Sequence, residues 1–472
     1  MRAVPGIHPR WRRRELSLLL AAAGGLFLGW VSLASTQAGR LTAGDPTLLI
    51  VYLALLFGVH GAFVLAGRRT DQVLLPTVGV LGGLSLLLMA RLPQGLASQS
   101  FGSLELGLAP LQLLWLGLAV VLLGGLGIAV RNDYWLRYYK YSWAAAGIGL
   151  LLLVFFLGEE VNGQRLSLRL GPISGQPSEL LKVILVVFLA GYLADNRALI
   201  AGSSTRLGPL RLPPLPYLLP MLAMWGLALS IVVVQKDLGA ALLFFSVFLA
   251  VLYIATSRAS LVVLGVLLFL VGAAALYQLF PHVRDRVDIW LDPFAQAQDR
   301  GFQIVRALYA FGRGGVLGTG LGAGLPQVGG SLAIPAIHTD FVFAALAEEL
   351  GMAGALAILA LYLVLAQRGL RIAVLAADDF RSLLAAGLTT VIVIQAAIIM
   401  AGNLKLVPLT GITLPFISYG GSSLLANAII VGFLIALSDQ GVEPLEAPRP
   451  GRRERLAAGA RSVSDRIERV VS

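Results

Sequence analysis

Asp340 closes the segment Pro335-Ala336-Ile337-His338-Thr339-Asp340, directly ahead of an apolar stretch that begins at Phe341. A carboxylate in that place can act as a general base or hold a divalent cation. It can equally be an N-cap, accepting the free amides of a helix start and suiting the helix dipole. The sequence leaves the two readings level, and His338 by itself reads as structural. Upstream, residues 312–324 are glycine-rich, but no Gly-Lys-Ser/Thr follows and no strand precedes them, which argues against a nucleotide P-loop. Their tight turns could instead carry Arg306 and Arg313 toward an anionic ligand.

Other polar groups stand where apolar runs begin or break. Glu179 and Lys182, three residues apart after the helix start at Pro177-Ser178, share a helix face, with Ser178 as a candidate N-cap. An unpaired charge in a bilayer is costly, so they read as a mutually neutralising pair that can also position a polar cavity. Gln235-Lys236-Asp237-Leu238-Gly239 joins two apolar runs with almost no loop. It is either a plain interfacial turn or a polar helix break of the kind that builds sites in membranes. Between Gly402 and Ser423, Gly and Pro break the chain, and Lys405, Ser418, Tyr419, Ser422 and Ser423 line the break. Irregular backbone at membrane depth is tolerated only inside protein or against a wet cavity, which assigns this segment to the same site. Glu348 and Glu349, with Glu179 and Lys182, are the charges a transport site near the midplane would use.

The elements that must position these groups are membrane helices. The chain of 472 residues is 57% hydrophobic and only 13% charged, with a mean hydropathy of +0.83. Soluble domains are nearer half apolar and a quarter charged. Absent cysteines remove disulfides, thiolate nucleophiles and Cys-based metal sites. The net charge of +11 sits in the N-terminal tail, the short loops and the C-terminal tail, where it orients a polytopic chain and does not mark a nucleic-acid surface. About twelve apolar runs of spanning length fall near 17–36, 47–67, 73–90, 108–130, 141–158, 178–194, 214–235, 238–256, 260–280, 341–366, 382–402 and 422–438. The first is a spanning helix and not a cleaved signal peptide, because further runs follow at once. Arg2, Arg10, Arg12, Arg13 and Arg14 place the N-terminus in the cytoplasm, and an even span count returns the C-terminus there. The stretch 281–340, about sixty residues and too long to be a mere connection, then faces outward with 159–177 and 403–421. The expected fold is all-α and polytopic, with a cytoplasmic basic tail 1–15, a helix pair 16–72, a core 73–438 and a second basic tail 439–472.

In order along the chain, five blocks resemble the shape, elongation, division and sporulation family of bacterial cell-wall polymerases, whose members include RodA and FtsW. They are Asn162-Gly163 through Arg169-Leu170-Gly171-Pro172 to Gln176-Pro177-Ser178-Glu179-Leu180 and Lys182, Gln235 with Asp237-Leu238-Gly239, and Gly301-Phe302-Gln303 through Gly322. His338-Thr339-Asp340-Phe341 with Glu348-Glu349-Leu350-Gly351, and Leu414-Pro415-Phe416 with Ser418-Tyr419-Gly420-Gly421-Ser422-Ser423, complete the set. Lys236 stands where the family usually has Pro, Leu166-Ser167 where it commonly has Arg-Trp, and Ala336 where Glu is frequent. The family usually has ten spans, so the first two here look like an addition. The resemblance implies a peptidoglycan glycosyltransferase that polymerises lipid II on the outer face of the bacterial cytoplasmic membrane, in elongation or septation. It implies a class B penicillin-binding transpeptidase as partner, among elongasome or divisome proteins. It also implies Asp340 as the catalytic carboxylate and Glu179–Lys182 as a structural pair; the candidates for substrate contact are Arg169, Arg306, Arg313, His338, Lys405, Ser418, Tyr419, Ser422 and Ser423. A divalent cation, Mg or Mn, fits a diphosphate donor, and no nucleotide or organic cofactor is expected. Two other classes stay open: a lipid flippase or secondary transporter of lipid-linked sugar, and a non-catalytic scaffold that would tolerate loss of Asp340.

Overall fold

The computed structural model describes residues 11–439, apart from the pairs 102–103, 162–163, 171–172, 203–204, 208–209, 213–214, 325–326 and 329–330. The helices in chain order are α1 (Arg13–Ala38), α2 (Thr47–Leu65), α3 (Leu74–Arg91), α4 (Leu108–Ala129), α5 (Tyr134–Tyr138), α6 (Lys140–Leu157), α7 (Pro177–Gly202) and α8 (Leu215–Val234). They continue with α9 (Leu238–Thr256), α10 (Ala259–Leu279), α11 (Pro281–Leu291), α12 (Phe302–Gly314), α13 (Val342–Val374), α14 (Asp379–Asn403) and α15 (Gly421–Leu437). Among the described residues, ten helices are long and apolar enough to cross a membrane. The apolar helices α8 and α15 complete the expected pattern of runs. Short antiparallel hairpins are the only sheet described, among them strands 159–161, 164–170 and 173–175 before α7.

α14 packs against α7, α9 and α13, and α15 against α4, so the core lies among these helices. The N-terminal pair leans on it from outside, α1 against α3 and α2 against α4. Two ends of the bundle follow from the connections. One, here the tail end, carries residues 66–73, 130–139 and 375–378, and the other, the loop end, carries 158–176, 235–237, 280–341 and 404–420.

Several expectations are revised. Residues 1–10 and 440–472 lie outside the described residues, but the rest of the expected 1–15 tail is not free. Arg12 and Glu15 are buried, because Arg12 Nη2 lies 2.5 Å from Glu15 Oε2 and its Nη1 reaches the Thr70 hydroxyl at 2.8 Å. The stretch 281–340 holds two helices, α11 and α12, and a hairpin at 327–332. Ser178 lies inside α7 and directs its hydroxyl to Asp237.

The glycine-rich turn has a structural purpose. α13 is broken at Gly351, which adopts φ 69° and ψ −171°. A break inside a buried helix leaves backbone groups without partners. The turn supplies them: Thr319 N and Gly320 N donate to the carbonyls of Glu348 and Glu349 at 3.0 Å, while Met352 N and Ala353 N donate to Gly315 O and Val316 O at 2.9 and 3.0 Å. A Cβ on Gly351 would lie 2.3 Å from Gly318 N, so glycine is required there.

Candidate functional site

Asp340 is not a cap. The residue flanking α13 is Phe341, and no side chain caps the helix. Asp340 is instead fixed by its backbone, its amide donating to Ala336 O at 3.0 Å and its carbonyl accepting from Asn403 Nδ2 at 2.9 Å. Its carboxylate is left to face the 403–420 segment, where the Cβ position of Gly411 lies 3.8 Å from Asp340 Oδ2. Gly411 has φ 72°. Burial holds the Asp340 carboxyl above the usual carboxylate range, opposed by the Thr339 hydroxyl and the charge of Arg286. A carboxylate in that state accepts a proton more readily than a free one.

Arg286, on the inward face of α11, supplies the opposite charge that acts on it. Its Nη1 donates to Thr410 O at 3.0 Å and Leu409 O at 3.3 Å. Arg284, two residues earlier, points away and lies over the Tyr277 ring at 5.6 Å. Asp237 approaches from the other side. It caps α9 by accepting from Ala240 N at 2.9 Å, with Gln176 and Ser178 against its second oxygen. Burial raises the Asp237 carboxyl as well, reinforced by Glu179 and opposed by the Ala240 amide, Arg286 and Gln176.

The expected hydroxyls mostly hold this segment in shape. Ser418 Oγ donates to Thr339 O at 2.5 Å and accepts from Leu414 N at 2.8 Å. Tyr419 N donates to His338 O at 2.8 Å, and the two rings lie 5.9 Å apart. Burial pushes His338 below its usual range, so it is neutral near pH 7. Ser422 Oγ accepts from Gln176 N at 2.9 Å, and Ser423 Oγ meets Thr413 Oγ1 at 2.6 Å. Non-glycine residues with positive φ gather here: Lys236 at 64°, Ala336 at 54°, Lys405 at 60° and Phe416 at 64°. Such strain collects where structure holds a site in place. Lys236 is instructive, since the proline that the family resemblance leads one to expect could not adopt that φ.

Beneath Asp237 lies a cavity with about 30 Å³ open to water, lined by Gln176, Glu179, Lys182, Asp237, Gln395 and Thr413 among others. Lys182 is 1% exposed and its Nζ meets Glu179 Oε2 at 2.6 Å, Gln395 Oε1 at 2.7 Å and Asn427 Oδ1 at 3.0 Å. The expected pair is therefore one side of a four-member network. Gln395 and Asn427 were not anticipated, although a buried amide in a spanning run is itself a signal.

The remaining candidates are placed elsewhere. Arg313 Nη2 pairs with Glu348 Oε1 at 3.0 Å, and Arg306 lies over the Phe302 ring at 4.9 Å. Glu349 pairs with Arg91 Nε at 2.7 Å and accepts from Gly322 N at 3.0 Å. Glu348 and Glu349 thus hold the glycine-rich turn on the α13 break. Gln235 Nε2 reaches Leu151 O at 3.3 Å, away from Asp340. Lys405 Nζ donates to Leu291 O at 3.2 Å and its carbonyl accepts from Trp290 Nε1 at 3.1 Å, clasping α11 to the end of α14. The side chain of Arg169 lies outside the described residues.

A family model described as a cell cycle protein, FTSW_RODA_SPOVE, matches residues 72–442. The peptidoglycan glycosyltransferase RodA of Mycobacterium tuberculosis is 39% identical over 466 residues, covering 97% of each chain. The probable peptidoglycan glycosyltransferase FtsW of Alkalilimnicola ehrlichii is 35% identical over 414 residues, covering 85% of this chain and 97% of its own. Among solved structures, the rod shape determining protein RodA of Thermus thermophilus aligns with a TM-score of 0.53 at 25% identity, over 78% of this chain and 97% of that one. A chain from a peptidoglycan synthase complex that coordinates polymerization and crosslinking aligns with a TM-score of 0.56 at 27% identity, over 84% and 97%.

Proposed function

The chain belongs to the FtsW, RodA and SpoVE family of cell cycle proteins, and from that premise we propose that it is a peptidoglycan glycosyltransferase polymerising lipid II at the outer face of the bacterial cytoplasmic membrane. The observation that carries the catalytic assignment is Asp340: a buried carboxylate at the loop end whose backbone is fixed and whose side chain caps nothing. In the reaction, a sugar hydroxyl attacks the anomeric carbon of the lipid-linked donor. Asp340 takes the hydroxyl proton as the new C–O bond forms. The bond to the diphosphate breaks, and the lipid diphosphate leaves with its electron pair.

Arg169, His338, Lys405, Ser418, Tyr419, Ser422 and Ser423 are assigned to shaping the surface that receives the headgroup, the last five chiefly through the backbone they hold. Arg306 and Arg313 are further from that role, since one stacks on Phe302 and the other pairs with Glu348. Among the described residues, no three His, Asp or Glu side chains come together as metal ligands. A Mg²⁺ or Mn²⁺ ion entering with the diphosphate would take its ligands from phosphate oxygens and water, as Mg²⁺ does when it keeps most of its shell. We assign both termini to the cytoplasm, which puts the loop end outside. The transpeptidase partner is inferred from the solved synthase complex, and the near full-length match to a RodA supports elongation over septation. The transport reading loses its charges, because Glu179 pairs with Lys182, Glu348 with Arg313 and Glu349 with Arg91.

The test is glycan-strand formation from purified lipid II by the protein with its transpeptidase partner. Asp340→Asn is expected to fold, bind the partner and make no polymer. Polymerisation by Asp340→Asn at the wild-type rate would remove Asp340 from the mechanism, and lipid II translocation without polymer would favour the flippase.

A further inference from the structure

Three elements meet at one backbone carbonyl. Thr410 O accepts from Arg286 Nη1 at 3.0 Å. The Cβ position of Gly239, two residues past Asp237, lies 2.7 Å from the same oxygen. The next residue, Gly411, has its Cβ position 3.8 Å from Asp340 Oδ2. The Thr410 carbonyl therefore stands among the α11 guanidinium, the α9 start bearing Asp237, and Asp340. Arg286 is the group that feels both carboxylates: burial lowers its hold on its proton, while Asp237 and Asp340 oppose that. An arginine stays protonated under such pressure.

We propose that Arg286 is a positioning residue for glycosyl transfer, a guanidinium anchored on the Leu409 and Thr410 carbonyls that holds the Asp340 carboxylate in its charged, proton-accepting state. The inference rests on the reading of Asp340 as the base. Its chemistry is a balance of signs. Burial favours the neutral acid, which cannot take a proton, and a cation beside Asp340 restores the anion. The neighbours that share the balance are Asp237 and Lys236 before α9, Glu179 with Lys182 on α7, His338 beside Asp340, and His282 with Asp285 on α11. Asp285 is engaged with Arg300, and Lys182 with Glu179. His282 sits below its usual range, first from burial and then from Lys236 and Arg286, with Asp285 opposing.

The sign of the effect follows. A base with a raised pKa works above that pKa and fails as pH falls through it, so the wild-type rate has an acid limb above the ordinary carboxylate range. Removing Arg286 takes away a group that lowers the Asp340 pKa, so the limb moves to higher pH. The experiment is the pH dependence of lipid II polymerisation by the purified complex. Arg286→Gln is expected to shift the limb upward by about one unit and to recover rate at high pH. Arg286→Lys, which keeps the charge, leaves the limb nearly in place. Asp237→Asn, which still caps α9, moves it downward by releasing Arg286 toward Asp340. The same series in a His282→Asn background separates the imidazole from the carboxylate. An unmoved limb, or a loss equal at every pH, in both Arg286→Gln and Asp237→Asn overturns the proposal. If Arg286→Gln does not fold, the Asp237→Asn shift decides alone. Failure of the Asp340 reading would show differently, as Asp340→Asn protein that still polymerises.

Discussion

The tail end of the bundle and the cluster around Asp237 and Asp340 at the loop end use buried charge in opposite ways. At the tail end buried and half-buried charges meet partners: Arg12 with Glu15, His60 Nδ1 with Glu15 Oε1 at 2.7 Å, Arg68 with Asp439 at 2.7 Å, Arg368 with Asp71, and Arg381 with Asp133 at 2.7 Å. Arg68 also donates to the Gly127 and Val130 carbonyls. At the loop end, two carboxylates, Asp237 and Asp340, share the influence of one guanidinium whose Nη1 is committed to backbone carbonyls. Closed pairs hold helices together and have nothing left to offer a ligand. An incompletely balanced carboxylate is costly to keep and chemically available, which is where perturbed groups mark function.

The sharpest way to break this contrast is Asp340→Asn. If the loop end is for chemistry, the melting temperature stays near wild type while polymerisation falls by about 10²–10⁴-fold, the usual worth of a positioned base. A large loss of stability instead would make Asp340 one more structural charge. Next comes Lys182→Ala, which leaves the Glu179 carboxylate with no cation and disturbs Gln395 and Asn427. Removing one partner of a buried pair costs about 3–5 kcal/mol in soluble proteins. Thermal unfolding in detergent should show a loss of that order, with the Glu179→Ala, Lys182→Ala double variant losing less than the two single losses combined; additive losses would mean the two do not act as a pair. Arg12→Ala is the counterpart at the tail end. A cost of about 3 kcal/mol is expected, with turnover per folded molecule unchanged, because its partners are far from Asp340. Impaired turnover there would join the two ends functionally. The smallest effect is expected at the Arg197–Asp379 pair, whose side chains are 43% and 52% exposed. Arg197→Ala should change stability by less than about 1 kcal/mol, and less still in high salt.

Much of this was readable from the chain, and what was not has a physical reason. The spans were legible because each is a long apolar run, and the helices begin and end within a few residues of those runs except where α7 and α13 run on in charged or polar residues. The Glu179–Lys182 pair was legible from spacing alone. Gln395 and Asn427 were hidden because hydropathy averages a single amide into its apolar neighbours. Arg286 was hidden for the opposite reason: within Arg284-Asp285-Arg286 nothing local tells which cation faces inward, and that is decided by the carbonyls of a segment more than a hundred residues later. The Gly351 break was unreadable because its stabilising partners lie in the glycine-rich turn, about thirty residues earlier, whose glycines read as tight turns carrying Arg306 and Arg313. Asp340 could be read as cap or base, and only the position of Phe341 and the fixed backbone around it removed the cap.

The break at Gly351 also sets a depth. From Gly351 to Val374 the helix rises roughly 36 Å at 1.5 Å per residue, which by itself exceeds a hydrocarbon layer of about 30 Å. The roughly two and a half turns before the break, Val342 to Leu350, are therefore surplus to crossing. A lipid-anchored sugar cannot choose its own height, because its chain fixes its phosphates at the membrane surface. A straight helix would leave the height of the carboxylate to tilt and local bilayer thickness. With the broken one, pinned by the glycine-rich turn, the start of α13 and the Asp340 next to it are set by packing against the rest of the bundle.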